Sequence, residues 1–173
     1  YPASVLRDNK RSNQAELERA VALANEYPDI VDVVSAGNEA TVDWTVHLVS
    51  PDAVTDYVAH LQRHVAQPVT FCENYVPWLG KLDALAEQVD LISIHTYPVW
   101  EYKTIDEALA YTKENYAAVA ERYPDKQVII TEAGWATASN GRGIPPENVG
   151  EFYQKRYLEE LHKWSSKQGV VVY

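Results

Sequence analysis

The chain has 173 residues, 46% of them apolar and 23% charged, with only 7 Gly and 9 Pro. That composition excludes a disordered, collagen-like or coiled-coil chain and leaves one globular domain, or a piece of one, spanning residues 1–173. Its net charge of −10, with 25 acidic against 15 basic residues and no basic run, repels phosphate backbones and anionic membranes, so no nucleic-acid partner is expected.

A helix is predicted from an Asn13/Glu16 capping box, with Leu17, Val21 and Ala24 at helical spacing, until Pro28 stops it. Ile30 to Ala36 then reads as a strand buried on both faces. Ser50-Pro51 opens a second helix with Val54, Val58, Leu61 and Val65 on one side. A strand at Val69 to Tyr75, a short helix over Leu79 to Gln88 and a strand at Val89 to His95 follow. Thr104 and Glu107 form a capping box for a helix reaching about Tyr123. Gln127 to Thr131 is a fourth strand, Pro145 to about Lys167 a last long helix, and Val170 to Tyr173 a fifth strand. Strand-helix alternation of this kind implies a parallel sheet with right-handed crossovers. No stretch of 18 apolar residues is present, so membrane insertion is not expected.

The polar residues cluster at strand ends: Asn38-Glu39, Glu73-Asn74, His95 with Tyr97, and Glu132. In parallel α/β proteins that edge is where ligands bind. Two glutamates on different strands, Glu39 and Glu132, suit glycoside hydrolysis, in which one carboxyl group protonates the leaving oxygen and the other attacks or activates water. Five Trp and twelve Tyr against two Phe favour rings with a polar handle, the kind that stack on sugars at half-wet surfaces. Trp44, Trp78 and Trp100 fall in loops after three strands and extend the expected cleft, whereas Trp164 lies on an apolar helix face and reads as core. Glu73 is expected to accept from a sugar hydroxyl or, equally, to form a structural salt bridge. His95 either contacts the ligand or is a hydrogen-bonded barrel residue. His60 and His64, four apart on the second helix, lack a third metal ligand and read as a solvated face. Cys72 lies in an apolar strand as an inert thiol. No nucleophile elbow and no glycine-rich phosphate loop occurs.

The surroundings of the two glutamates are more specific than either alone. The first lies in Val33-Val34-Ser35-Ala36-Gly37-Asn38-Glu39-Ala40, the second in Val128-Ile129-Ile130-Thr131-Glu132-Ala133-Gly134-Trp135, followed by Asn140-Gly141, with His95-Thr96-Tyr97-Pro98 between them. This set resembles the β-glucanases of glycoside hydrolase family 17, retaining glycosidases built on a (β/α)8 barrel. The resemblance implies a two-glutamate double displacement on β-1,3-linked glucan, hydrolytic or glucanosyl-transferring, with no cofactor and no metal. It makes Glu39 the general acid/base and Glu132 the nucleophile. It also implies that Asn38 bonds the sugar 2-hydroxyl, that Tyr97 keeps the nucleophile ionised, and that Trp135 forms an aromatic wall. A polymeric substrate suggests an extracellular, periplasmic or cell-wall location. The competing expectation is a non-catalytic glucan-binding module using the same cleft.

A TIM barrel takes about 250 residues. If Glu39 closes the fourth strand, the five strands are strands 4 to 8 with helices 3 to 7, an incomplete barrel, and Tyr1-Pro2-Ala3 is the loop after strand three. The open apolar edges then make self-association the expected behaviour.

Overall fold

The computed structural model describes residues 3–45, 48–139, 141 and 144–173, with side chains from Lys10 onward. Tyr1, Pro2 and Asn140, which figure in the expectations above, lie outside them. Four strands, β1 (Val34–Asn38), β2 (Val69–Asn74), β3 (Ile92–Thr96) and β4 (Val128–Ala133), form one parallel sheet in the order β1-β2-β3-β4. Helix α1 (Ala3–Glu26) precedes them, α2 (Pro51–Gln62), α3 (Tyr75–Trp78), α4 (Asp83–Gln88) and α5 (Ile105–Arg122) run between them, and α6 (Glu151–Gln168) follows. The architecture is an α/β fold forming part of a (β/α)8 barrel.

The core lies between the sheet's outer face and the helices. Val69, Phe71, Ile92, Ile94, Val128 and Ile130 project from the strands against Val54, Val58 and Leu61 of α2, Leu85 of α4 and Val119 of α5. A second cluster joins Trp135, Ile105, Ala108, Tyr157 and Leu161 beneath α5 and α6. Because strand side chains alternate, the residues between these apolar ones, Thr70, Cys72, Ser93 and His95, share the opposite, concave face. A hydrogen bond of 2.9 Å between Thr70 and Ser93 ties that face together.

The helix boundaries have local causes. Ser50 Oγ accepts from Ala53 N at 3.3 Å, with Pro51 opening α2 as expected. The Glu107 carboxylate accepts from Thr104 N at 2.8 Å, closing the box that starts α5. By contrast, α1 starts at Ala3 rather than Asn13. The Asn13 amide donates to the Tyr57 hydroxyl at 3.3 Å instead of capping, and the helix-forming stretch before it continues the coil. The first strand starts four residues later than expected. Ile30 N and Val31 N both bond back to Tyr27 O, at 3.1 and 3.0 Å, and spend the start of the apolar run on a turn that leaves Ile30 75% exposed. The expected last strand is reduced to one parallel bridge between Val172 and Ile130. The last helix starts at Glu151, because Asn148 bonds outward to Lys103 O at 2.8 Å and Gly150 has a φ of +151°.

Candidate active site

Register decides which strand-end residues meet. On β3 and β4 the pairing runs Ile94↔Ile130 and then His95↔Glu132, so Thr131 is an extra residue on β4. A bulge of one residue reverses side-chain parity. Glu132, which simple alternation would send outward with Val128 and Ile130, therefore joins His95 on the concave face. A second irregularity lies between β1 and β2, where Ser35↔Thr70 is followed by Asn38↔Cys72. It contains Gly37 at φ +149°, where an added Cβ would meet the Phe71 ring at 3.2 Å. Just beyond it Glu39 takes a left-handed backbone with φ 44°, an uncommon state for a non-glycine residue that costs on the order of 1–3 kcal/mol. The Glu39 N–H donates to Cys72 O at 3.0 Å, anchoring the turn.

The two turns bring Glu39, His95 and Glu132 together, one ligating atom of each lying within 4.8 Å of the others. His95 is fully buried, with Nδ1 3.0 Å from Glu39 Oε1 and Nε2 3.5 Å from Glu132 Oε1. The Tyr97 hydroxyl donates to Glu132 Oε2 at 2.9 Å. Burial on its own would lower the pKa of His95. Hydrogen bonds with Cys72 and Glu39 and the charge of Glu132 outweigh it and hold the imidazole above its ordinary value. Burial likewise opposes ionisation of Cys72, but hydrogen bonds from His95, Ser35 and Thr131 bring that thiol below its usual range. Cys72 is therefore not the inert core thiol expected of an apolar strand; it faces the site. Burial and the Glu132 carboxylate push Tyr97 well above the ordinary phenol value, so it stays a hydrogen-bond donor.

A cleft of about 570 Å³ opens above these groups, lined by Glu39, Glu132, Tyr97, Trp44, Trp100, Asn74, Tyr75, Glu101 and Tyr111. Trp44 and Trp100, 65% and 49% exposed, supply its aromatic surface, as expected of two of the three loop tryptophans. The third, Trp78, is fully buried and donates from its indole to Ser93 O at 3.1 Å. Trp164 is half-buried and packs against both core clusters.

Three expected site residues lie elsewhere. Glu73 has the outward parity of Val69 and Phe71 and is fully buried; its carboxylate accepts from Thr41 N (2.8 Å), Thr41 Oγ1 (2.7 Å) and Asn74 N (2.7 Å). It is not open to a sugar hydroxyl and forms no salt bridge among the described residues, and it pins the loop after β1. Trp135 is 3% exposed, its indole donating to Asn148 O at 2.9 Å and its ring tilted against Tyr157, so Trp44 and Trp100 take the place of the expected wall. Asn38 is exposed and lines a separate groove with Asn13, Glu16 and Tyr57, because the turn at Glu39 sends the two neighbours apart.

Sequence reasoning missed Tyr75 and Tyr111, whose hydroxyls bond at 2.8 Å across the cleft. Tyr111 sits in an ordinary amphipathic helix and carries no local signal. The His60 and His64 rings stack at 4.4 Å, and the described residues supply no third ligand there. Among the described residues no helix is long and apolar enough to cross a membrane.

Chemically, the arrangement offers two carboxylates at close range, each fixed by a neighbour, facing a cleft with two exposed indoles. The family model described as the BtgE/BtgC glycoside hydrolase domain matches residues 3–173. The structure is similar to an endo-laminarinase from Formosa Hel1_33_131, with a TM-score of 0.83 and 26% identity over 92% of this chain and 52% of that one. It is also similar in fold to a glycoside hydrolase family 17 β-1,3-glucanosyltransferase from Rhizomucor miehei (TM-score 0.73, 18% identity, 90% of this chain and 59% of that). A family GH113 β-mannanase from Alicyclobacillus acidocaldarius shares the fold more distantly (TM-score 0.57, 18% identity, 89% and 47% coverage). The chain thus spans between half and three fifths of the length of the first two structures. No curated protein is significantly similar in sequence.

Proposed function

Because the chain belongs to the BtgE/BtgC glycoside hydrolase domain family, we propose that its cleft hydrolyses or transfers β-1,3-linked glucan with retention of anomeric configuration. The observation that carries the reading is the short distance between the carboxylates. An oxygen of Glu39 and one of Glu132 lie within 4.8 Å. Double displacement requires about 5–5.5 Å between carboxyl groups, whereas inversion needs a gap of about 6.5–9.5 Å to admit water. The linkage is inferred from the endo-laminarinase and glucanosyltransferase neighbours.

In the first step Glu132 Oε1 attacks the anomeric carbon while protonated Glu39 gives its proton to the departing glycosidic oxygen. This leaves a glycosyl ester on Glu132 and a carboxylate on Glu39. The His95 Nδ1–H then donates to that carboxylate. In the second step Glu39 removes a proton from water, or from a sugar hydroxyl when the reaction is transfer, and the resulting oxygen displaces Glu132. Tyr97 holds Oε2 throughout, so Oε1 is the free nucleophilic atom. Trp44 and Trp100 stack on the glucan, and neither step requires a metal or organic cofactor. A polymeric substrate of this kind suggests that the protein acts outside the cytoplasm or at a cell wall.

Reducing-sugar release from laminarin tests the reading, with the first-formed anomer followed by NMR. The expected result is turnover with the β-anomer appearing first. Glu39→Gln should lower the rate by roughly 10²–10⁴, and Glu132→Gln should abolish it. An α-anomer as first product would remove Glu132 from the nucleophile role. Tight laminarin binding without turnover would favour a glucan-binding module instead.

A further inference from the structure

We propose that Tyr75, backed by Tyr111, binds a hydroxyl of the sugar on the leaving side of the scissile bond, and so makes the cleft prefer a sugar leaving group over one without hydroxyls. The inference rests on the reading above, in which Glu39 protonates the departing oxygen, and goes beyond it by giving a role to residues set away from the reacting carboxylates. Tyr75 follows directly on β2, one strand from β1, whose end carries Glu39, and two strands from β4, which carries Glu132. Tyr111 reaches the same wall of the cleft from α5, where that helix packs against α3. The pair therefore lies on the side towards which the protonated group departs.

The two rings offer hydroxyls rather than faces. They meet edge to face, with centroids 6.2 Å apart and planes at 89°, and Lys103 Nζ lies 5.3 Å from the centroid of the Tyr111 ring, so that ring is already engaged by a cation. Stacking is left to the exposed indoles of Trp44 and Trp100. The hydroxyls of Tyr75 and Tyr111 are 2.8 Å apart. Behind them Asn115, 7% exposed, donates to Thr96 Oγ1 at 2.9 Å and also bonds Tyr111. Burial and the bond to Tyr75 raise the pKa of Tyr111, as when Tyr111 is the donor, whereas the bond from Asn115 lowers it, as a donor to the phenolic oxygen does. Donation thus runs one way, from Asn115 to Tyr111 to Tyr75. A hydroxyl has a single proton to give, and that of Tyr75, whose oxygen makes no second bond among the described residues, is left for the cleft. Its position at the end of a chain of hydrogen bonds strengthens it as a donor. A site built to bond a substrate hydroxyl discriminates against a substrate that lacks it.

The test compares kcat/KM of the full chain on laminaripentaose with that on 4-nitrophenyl β-laminaribioside, whose leaving group carries no sugar hydroxyl. Tyr75→Phe, which keeps the ring and deletes the hydroxyl, should lower the ratio of the two roughly three- to tenfold. Tyr116→Phe, a control on α5 whose ring packs against Trp164, should keep the parent's ratio. An unchanged ratio in Tyr75→Phe, whether neither substrate is affected or both are slowed alike, overturns the proposal. If the parent chain turns over neither substrate, the enzymatic reading fails, and calorimetry decides this one separately. Laminaripentaose should then bind Tyr75→Phe more weakly than the parent by a similar factor, and equal affinities overturn the proposal.

Discussion

Tyr97 makes a sharper test of the site than the glutamates, because its role can be removed without removing a carboxylate. Its hydroxyl donates to Glu132 Oε2 at 2.9 Å, and a hydrogen bond to a charged group contributes about 1.5–3 kcal/mol. Tyr97→Phe should therefore lower kcat on laminarin by roughly ten- to a hundredfold with little change in KM, since the ring still lines the cleft. An unchanged kcat would show that the bond has no part in turnover. His95 makes a prediction about pH. Its pKa is raised in the folded chain by Cys72, Glu39 and Glu132 against the opposing effect of burial. The stabilisation it contributes is thus fully present below the unfolded value of about 6.5 and is lost as pH rises through the folded one. The His95 ring resonances should titrate above pH ~6.5, and urea stability should fall across that same window in the parent chain but not in His95→Gln. A midpoint at or below the ordinary value would mean that burial dominates.

The β1–α2 loop shows how an element fixes a site it does not itself form. Glu73 at the end of β2 is buried and accepts from both the backbone and side chain of Thr41, and Lys81 donates to Thr41 O at 2.5 Å. These bonds hold the segment between Glu39 and Trp44. Thr41→Val keeps the shape and deletes one donor to a buried carboxylate, so chemical denaturation should show a loss of about 1.5–3 kcal/mol. An effect within about 0.5 kcal/mol, the level of a neutral surface change, would mean that the loop is held by other contacts. The same pair marks the limit of what sequence alone revealed. The alternation of helix and strand, the capping of α2 and α5, and the strand ends carrying Glu39, His95, Tyr97 and Glu132 all follow from short-range pattern and were legible. The bulge at Thr131 and the irregularity around Gly37 were not, because they are defined by a partner strand distant in sequence. Those two features decide which strand-end residues face the cleft. Without them, Glu73 reads as equivalent to Glu132, and Trp135, beside the Glu-x-Gly turn, reads as cleft wall although its ring packs under α6.

Four parallel strands and one bridge make an arc, and an arc has edges. Among the described residues β1 pairs only with β2, and β4 beyond β3 gains only the bridge to Val172. Eight tilted strands are needed to close a barrel, and the laminarinase of similar fold is about twice as long as the part this chain covers. The concave face that a closed barrel would fill carries Thr70, Cys72, Ser93 and His95, and α6 presents Phe152 and Leu158 to solvent at 71% and 47% exposure. Unpaired N–H and C=O groups along a strand edge template pairing with another chain, and exposed apolar side chains add a non-directional attraction. The net charge of −10 opposes association, but its reach is limited to about 8–10 Å at physiological ionic strength, so it slows approach more than it prevents edge pairing. Residues 1–173 expressed alone should therefore associate. Sedimentation velocity should give a weight-average mass above 19.5 kDa that rises with protein concentration and with salt. A monomer at every concentration and ionic strength would mean that α1, lying against β1, shields that edge more completely than its few contacts suggest.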